Sequence, residues 1–439
     1  MKSKNGSLKT AKTPVFALVD CNNFFVSCER VFRPDLKDKP VAVLSNNDGV
    51  VVARSNEVKA MKVPMATPYF KVKDILRKNG TQLFSANFAL YGDFSRRIVE
   101  VLETAAPYVE VYSVDESFLE VSSLEIEDYQ KWGQELATKV ERYTGIPVSV
   151  GIGPSKTLAK AASEYVKKHP ETKGAYDVTE VTPRKKMLKW LPVEDVWGVG
   201  RALGSRLSNR GVKTAYDLTQ VSEDWALKTM TIRGLKTLRE LKCESNIPLE
   251  TNSKHSQQKS ISATRSFGIT VRAPYQLESA MANFAARIAY NLRRKGQVAS
   301  EVVVFLRSGV KDVHQHNPSI NVRLSFATSD TAILTASVVK GLSQIIKSGH
   351  GYKRAGLVVH KLLLVEASQL PIIDTPTEEI IGKSERLMSV MDDINKRWGK
   401  GSLAIAREAI GRTDWQSKRE NKSPAYTTSW AEIPVITLK

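Results

Sequence analysis

Short apolar runs typical of strands alternate with amphipathic segments along the first 180 residues. The run that ends at Asp20 indicates a buried strand, and two runs that flank the turn residues 46–49 predict a β-hairpin. Strands are expected at 15–20, 41–44, 50–53, 109–114, 118–121 and 147–152. Helices are expected at 56–62, 69–78, 91–106, 126–143 and 155–168, the last capped by Ser155. This order predicts an α/β sheet with helices on one face.

Residues 181–244 are rich in helical patterns, whereas residues 259–366 alternate between strands and helices. In the first segment, two short helices joined by Gly198, Val199 and Gly200 would form a tight turn. Its backbone N–H groups suit a phosphate oxygen, and a plain helical turn is the alternative. The polar, aperiodic residues between the two segments indicate a linker.

The second segment is predicted to be a smaller α/β domain. Its strands are expected at 260–267, 302–306, 322–326 and 357–365, and its helices at 280–294 and 332–346. One more helix is expected in the tail, at 378–398.

The charge balance favours an anionic partner. The 439 residues carry a formal net charge of +19, and the pI is about 9.6. Residues 255–366 alone hold 15 Lys and Arg against 5 Asp and Glu. Such an excess suits a module that follows a nucleic-acid backbone, although a membrane surface is also anionic. No apolar run is long enough to span a membrane.

The three cysteines, Cys21, Cys28 and Cys243, form no Cys-x-x-Cys pattern. An odd number without that spacing argues against a disulfide framework and against a cysteine zinc site. A reducing, cytoplasmic setting is therefore expected.

Three carboxylates are predicted to meet at one edge of the first sheet. Asp20 ends one predicted strand, and Asp115 and Glu116 lie at the tip of a predicted hairpin. Ionised acids are costly to bury unpaired, and hard divalent cations such as Mg²⁺ take oxygen ligands of this kind. In-line phosphoryl transfer with two metals would use such a site. A solvated hairpin tip is the structural alternative, and the acids alone do not distinguish a polymerase from a nuclease.

Several motifs resemble those of the Y-family DNA polymerases, in the same order and over about residues 14–430. These motifs occupy residues 20–25, 112–117, 151–160 and 197–200. Residues 32–36, 44–49 and 265–268 resemble the UmuC branch of that family, the catalytic subunits of the bacterial SOS mutagenic polymerase. The mobile-element variants of this branch are the most similar.

The resemblance implies an α/β right-hand polymerase with an α+β palm. Its parts would be a flexible extension (1–13), a palm (14–24 and 88–180), fingers (25–87), a helix-hairpin-helix thumb (181–244), a linker (245–258), a little finger (259–366) and a C-terminal tail (367–439). The implied activity is low-fidelity, template-directed translesion DNA synthesis in SOS mutagenesis, without proofreading. Asp20, Asp115 and Glu116 would hold two Mg²⁺ ions, and the backbone carbonyl of Cys21 would complete one ligand shell. A DNA-bound scaffold without catalysis and a metal-dependent nuclease are the alternatives.

The resemblance also assigns residues to the incoming deoxynucleoside triphosphate. The backbone of Asn22, Asn23, Phe24 and Phe25 would meet the triphosphate. Phe25 corresponds to the family's steric gate, an aromatic ring beneath the sugar that leaves no room for a 2′-hydroxyl. We expect Phe24 to be a core residue, and core packing of both rings is the alternative.

Three further nucleotide contacts are implied in the fingers and the palm. The family's triphosphate-binding tyrosine and arginine fall at Asn56 and Lys59. Its second phosphate-binding lysine falls at Lys167, with Lys168 as the alternative. A point-charge ammonium binds phosphate less directionally than a guanidinium, so Lys59 predicts a weaker hold on the triphosphate.

Contacts to primer–template DNA are expected at Gly198 and Gly200 in the thumb and at Arg293, Arg294 and Lys295 in the little finger. The three basic residues could instead form a solvated helix end.

The tail is expected to bind proteins. Gln369, Leu370, Ile372 and Ile373 lie where family members bind the sliding clamp, and a plain linker is the alternative. The helix that follows resembles the region that docks a cleaved UmuD-type accessory dimer, or else packs on its own chain. A recombinase filament and a cytoplasmic, nucleoid-associated location are also implied.

Overall fold

The structure is a computed structural model that describes residues 14–250, 258–309, 312, 314–367, 378–409 and 415–435. The chain divides into two compact units. The first unit comprises Met1–Ser45, Val50–Lys254 and Asn421–Lys439, and the second comprises Asn46–Gly49 and His255–Glu420.

The strands of the first unit are β1 (Phe16–Cys21), β2 (Val41–Leu44), β3 (Val51–Arg54), β4 (Gln82–Ser85), β5 (Tyr108–Val111), β6 (Glu116–Glu120), β7 (Val148–Gly153) and β8 (Ala175–Asp177). Its helices are α1 (Phe24–Phe32), α2 (Asn56–Ala60), α3 (Tyr69–Lys78), α4 (Phe88–Glu103), α5 (Tyr129–Thr144), α6 (Lys156–Lys168), α7 (Val181–Trp190), α8 (Arg201–Ser208), α9 (Ala215–Thr219) and α10 (Glu223–Leu241).

The second unit has strands β9 (Ser260–Val271), β10 (Gln297–Arg307), β11 (Ser319–Thr328) and β12 (Tyr352–Leu364). Its helices are α11 (Pro274–Arg294), α12 (Thr331–Ile345), α13 (Glu378–Trp398) and α14 (Ala406–Ala409).

The larger sheet of the first unit has the strand order β5-β6-β1-β7-β8. The central strand β1 pairs antiparallel with β6 and β7 and is buried along its whole length. Because successive side chains point to opposite faces, Ala17 and Val19 enter a core with α4 and α5, whereas Leu18 packs with Ala159 of α6. Helices therefore cover both faces, and the expectation of helices on one face is wrong.

Helix α6 approaches the sheet very closely at one position of β7. A Cβ atom on Gly151 would lie 2.1 Å from the Ala159 carbonyl oxygen and 2.2 Å from the Ser163 nitrogen. Only glycine fits there. The predicted cap of this helix is confirmed, because the Ser155 hydroxyl accepts a hydrogen bond from the Leu158 N–H. Both features fix the helix against the face of β1 that carries Asp20.

A smaller sheet in the same unit has the order β3-β2-β4. Strands β2 and β3 form the predicted antiparallel hairpin, with a bulge near Leu44. Helices α2 and α3 cover it through a small apolar core that includes Val58 and Leu76. Helices α7 to α10 share another core with α6.

The second unit is built on an antiparallel sheet with the order β11-β10-β12-β9. Helices α11 and α12 share one apolar core with it, and the Trp415 ring closes that core against Phe267 and Phe284. The tail helix α13 also packs here, because Met388 and Met391 are buried.

The structure confirms the predicted elements and adds several. Helix α1 and strands β4 and β8 were not predicted. The two strands contain only four and three residues, which is too short for a clear period. The first of the two helices expected around Gly198 is a single 3₁₀ turn at Val193–Asp195. Residues at the start of the predicted linker are also fixed, since Asn246 N and Ile247 N donate to the buried Glu240 carboxylate.

Candidate active site

The predicted meeting of acids at one sheet edge is confirmed for Asp20 and Glu116. Asp20 lies at the end of β1 and pairs directly with Glu116, the first residue of β6. Asp115 precedes it in the turn between β5 and β6, and its carbonyl oxygen accepts a hydrogen bond of 2.9 Å from Cys21 N. The acids therefore belong to two neighbouring strands and the tip of one hairpin.

Ser113 shapes this hairpin tip. Its hydroxyl oxygen accepts from the N–H groups of Asp115 and Glu116, at 3.3 and 3.1 Å. The same hydroxyl donates to Asp115 Oδ1 at 2.5 Å. One short side chain thus holds the turn and orients one carboxylate.

Two lysines of α6 face the acids. Lys167 Nζ lies 2.6 Å from Asp20 Oδ2, and Lys160 Nζ lies 2.6 and 2.7 Å from the two oxygens of Glu116. Lys160 was missed by sequence reasoning. The signal was its place two helical turns before Lys167, which sets both on one face of the predicted helix.

The ionisation of Asp20 and that of Lys167 depend on each other. Burial raises the pKa of Asp20 to about 7, although Lys167 opposes the rise and Glu116 adds to it. Burial acts to lower the pKa of Lys167, but the Asp20 carboxylate outweighs it, so that the pKa is raised. Ionised Asp20 therefore requires a cation beside it.

The donor set at this edge fits a hard divalent cation. Three carboxylates supply the oxygen ligands that Mg²⁺ prefers. In the described part of the chain, no three His, Cys, Asp or Glu side chains already converge on one point suited to a metal ion. Asp20 and Glu116 are instead paired with Lys167 and Lys160. A metal at these carboxylates would displace the two ammonium groups.

Cys21 can contribute only its backbone. Its side chain is buried in the core on the face opposite to Asp20. Burial raises the pKa of the thiol, and the nearby Asp20 raises it further. The thiol is therefore neutral, and the role of the Cys21 carbonyl as a metal ligand, which the family resemblance implies, stays a prediction.

The start of α1 carries the residues predicted to meet a triphosphate. Asn23 has the left-handed backbone angles φ 51° and ψ 41°, and no described side chain caps the helix that follows. The first-turn N–H groups at Phe24 and Phe25 thus have no intrahelical partner. Asn23 Nδ2 donates to Asn56 Oδ1 at 3.1 Å, and Ser149 donates to the Asn22 side chain. Three of the predicted nucleotide-binding residues therefore cluster.

The two adjacent phenylalanines have different environments. Phe24 is 3% exposed and belongs to the core, as predicted. Phe25 is half-buried, and its ring stacks on Tyr91 with centroids 4.3 Å apart and planes 13° apart. The edge of Phe88 lies against it at 6.1 Å. The Phe25 ring is thus held by contacts with Tyr91 and Phe88. Its action as a steric gate stays a prediction.

Lys59 belongs to a group of cations. Its pKa is lowered by partial burial first, and then by Arg54, Lys168 and Lys167. Arg54 is held by a hydrogen bond to the Val63 carbonyl oxygen. Mutual repulsion among these charges makes the group attractive to a polyanion. The sequence pointed to the lysines and missed Arg54.

The predicted DNA contacts in the second unit divide into two kinds. Arg293 makes two hydrogen bonds of 2.7 Å to the Asp392 carboxylate and one of 2.7 Å to the Ser329 carbonyl oxygen. The Arg293 guanidinium thus binds α13 and the Ser329 carbonyl oxygen. The expectation that Arg293 is available to bind DNA is therefore wrong. Arg294 and Lys295 are exposed.

The remaining predicted sites lie near the start of α8 and in residues 367–439. Gly198 and Gly200 are both exposed, and φ of 91° at Gly198 is a conformation that favours glycine. Gly200 is the N-cap residue that precedes α8. The residues predicted to bind a clamp, Gln369, Leu370, Ile372 and Ile373, lie outside the described residues.

Known proteins match the chain along most of its length. Residues 19–164 match the impB/mucB/samB family, 258–372 match its C-terminal domain, and 385–436 match a domain family of unknown function. Protein SamB of Salmonella typhimurium is 38% identical over 431 residues, which cover 97% of this chain and 100% of SamB. The chain belongs to the impB/mucB/samB family. This Y-family polymerase is also 36% identical to Protein UmuC of Salmonella typhimurium, over 95% of the chain and 99% of UmuC.

The fold of this polymerase agrees with a solved structure. A Y-family DNA polymerase chimera superimposes with a TM-score of 0.62 at 20% identity, covering 80% of this chain and 99% of that chain. The predicted right-hand α/β fold and the UmuC-type resemblance are confirmed. The protein is a DNA-directed DNA polymerase of the low-fidelity translesion class. Within the described ranges, no helix has the length and apolar character needed to cross a membrane.

Proposed function

We propose that this polymerase transfers deoxynucleotides to a primer end at the sheet edge formed by Asp20, Asp115 and Glu116. The observation that carries the proposal is the pairing of Asp20 with Glu116 across β1 and β6, with Asp115 in the adjoining turn. Two Mg²⁺ ions bound there would activate the primer 3′-hydroxyl and stabilise charge on the leaving pyrophosphate.

The side chains of this edge prepare it for the substrates. Ser113 keeps Asp115 oriented through its 2.5 Å hydrogen bond. Lys167 and Lys160 balance the charges of Asp20 and Glu116 before substrates bind. Because a buried unpaired carboxylate is costly, these ion pairs stabilise the site in the form without substrate.

The triphosphate would lie between α1 and the cationic group. The first-turn N–H groups of α1 and the helix dipole favour an anion. Lys59, Lys167 and Lys168 supply positive charge on the facing elements. If Lys167 paired with a phosphate instead of with Asp20, the Asp20 carboxylate would be available to a metal ion.

Sugar selection is assigned to Phe25. Its half-buried ring is held by Tyr91 and Phe88, so it cannot turn away without breaking two aromatic contacts. A rigid ring of this kind excludes a 2′-hydroxyl by contact.

The proposal extends to partners. Primer–template DNA would contact the turn at Gly198 and Gly200 and the exposed Arg294 and Lys295, supported by the basic excess of residues 255–366. We also assign to the tail a sliding clamp, a cleaved UmuD-type accessory dimer and a recombinase filament, in a cytoplasmic, nucleoid-associated setting. The 36% identity to Protein UmuC over nearly its full length supports this assignment.

Substitution of one acid tests the site. Asp115→Ala should abolish primer extension with Mg²⁺ and leave the Kd for primer–template DNA unchanged, because the side chain lies in a turn outside the core. Glu120→Gln, at the far end of the same strand β6, is the matched control and should keep activity. Retained extension by Asp115→Ala would remove Asp115 from the site.

A further inference from the structure

A short stretch of the C-terminal tail is built into the first unit. Residues 421–426, here called the tail segment, continue the edge of the smaller sheet beside β4. Ser85 N donates to the Asn421 carbonyl oxygen at 2.9 Å, and Asn421 N donates to the Ser85 hydroxyl at 3.0 Å. Tyr426 stacks on Phe32 of α1 with ring centroids 4.4 Å apart. The tail segment thus contacts both the smaller sheet and α1, the helix whose start carries the predicted nucleotide-binding residues.

Ser423 is the buried centre of the tail segment. Its hydroxyl donates to Glu29 Oε1 at 3.2 Å, and Asn87 Nδ2 donates to the same hydroxyl at 3.0 Å. Asn87 caps the start of α4, and Glu29 lies on α1. One serine therefore joins two helices through hydrogen bonds that water does not reach.

The Glu29 carboxylate connects this serine to Phe25. Tyr91 OH donates to the same Glu29 oxygen at 2.7 Å. The Tyr91 ring is the surface on which Phe25 stacks. Glu29 also follows Phe25 by four residues on α1, so both side chains lie on one helix face. The contacts run without a break from Ser423 through Glu29 and Tyr91 to Phe25.

We propose that the tail segment, through Ser423, is a positioning element for sugar selection by this polymerase. The Tyr91 ring is buried in the core, and the hydrogen bond from its hydroxyl to Glu29 fixes the position of the surface on which Phe25 stacks. Glu29 Oε1 accepts from that hydroxyl and from Ser423, and Asn87 holds Ser423 in turn. The inference assigns a task to part of a domain family of unknown function, and it rests on the proposed role of Phe25 as the gate.

The test measures the ratio of kcat/KM for a deoxynucleotide to that for the matching ribonucleotide, in the full-length chain. A hydrogen bond of this kind contributes a net 0.5–1.5 kcal/mol, so Ser423→Ala should lower the ratio roughly two- to tenfold. Tyr91→Phe keeps the stacked ring and removes only the hydroxyl, so it should lower the ratio similarly. Ser429→Ala, in the same tail but away from Glu29, should leave the ratio unchanged.

Phe25→Ala tests the gate itself separately from the role of the tail segment in positioning it. We expect it to lower the ratio more than either other variant, and Ser423→Ala should then have no further effect in the Phe25→Ala background. An unchanged ratio in Phe25→Ala would overturn the gate and this inference with it. A lowered ratio in Phe25→Ala, together with unchanged ratios in both Ser423→Ala and Tyr91→Phe, would overturn the tail's part alone. Should Ser423→Ala fail to fold, Tyr91→Phe decides the question.

Discussion

Lys156→Met should strongly destabilise the first unit, because it breaks a buried ion pair. Lys156 Nζ lies 2.7 and 2.9 Å from the two Glu110 oxygens, and the two side chains are 2% and 8% exposed. The ammonium also lies 4.6 Å from the centre of the Phe118 ring, and Glu110 accepts a 2.7 Å hydrogen bond from Glu250 N. The pair thus joins β5, α6 and the chain beyond α10.

The expected loss of stability follows from the Glu110 carboxylate, which stays buried without its partner. Removal of one partner from a buried pair leaves an uncompensated carboxylate and costs about 3–5 kcal/mol. Replacement of both charges, in Glu110→Leu with Lys156→Met, should recover most of this loss, because apolar isosteres fill such sites well. A small residual deficit should remain, since Glu250 N loses its hydrogen bond to Glu110.

Urea unfolding followed by tryptophan fluorescence measures this free energy. Five of the seven tryptophans belong to the first unit, so their emission reports on it. Arg96→Met removes the exposed pairs with Asp93 and Glu100 and should change stability very little. A loss below about 1 kcal/mol for Lys156→Met would refute the reasoning, because that is the value for a solvated pair.

Three other substitutions test separate features. Lys59→Arg should lower the nucleotide KM several-fold, since a guanidinium binds phosphate through two parallel hydrogen bonds; an unchanged KM would count against Lys59 as a triphosphate contact. Arg294→Ala should reduce the salt dependence of DNA binding by about one unit of slope, whereas Arg293→Ala should leave the slope unchanged and loosen α13; equal slopes for the two variants would contradict this division. Burial raises the pKa of Glu29, so the folded state holds its proton more tightly than the unfolded state. Stability therefore falls as the pH rises from about the ordinary value of 4.5 through the raised pKa. Glu29→Gln should flatten that part of the pH–stability curve, and a curve of the original slope would exclude Glu29 as its source.

Local patterns predicted the core of the site. A buried apolar run that ends in Asp20, and a hairpin whose tip carries Asp115 and Glu116, were sufficient to predict that Asp20 and Glu116 meet at one sheet edge, with Asp115 in the adjoining turn. Ser155 marked the start of α6 in the same way. These features depend on neighbours in sequence, which is why they could be predicted.

The missed features depend on contacts between distant parts of the chain. Lys160 meets Glu116 only because α6 covers the face of β1 that carries Asp20, and a strand that is apolar on both faces does not reveal which helix covers which face. Arg293 lies in a strongly basic segment, so its charge suggested DNA, whereas its partner Asp392 is 99 residues away. The link from Ser423 to Glu29 spans 394 residues. No local period encodes pairs of this kind.

Primer extension past a template abasic site tests the central claim most directly. The wild-type chain should add deoxynucleotides with Mg²⁺, either alone or with the accessory dimer and recombinase filament, and Asp115→Ala should add none under the same conditions. Tight binding of the primer–template without any extension, even with every partner present, would contradict the account and indicate a DNA-bound scaffold.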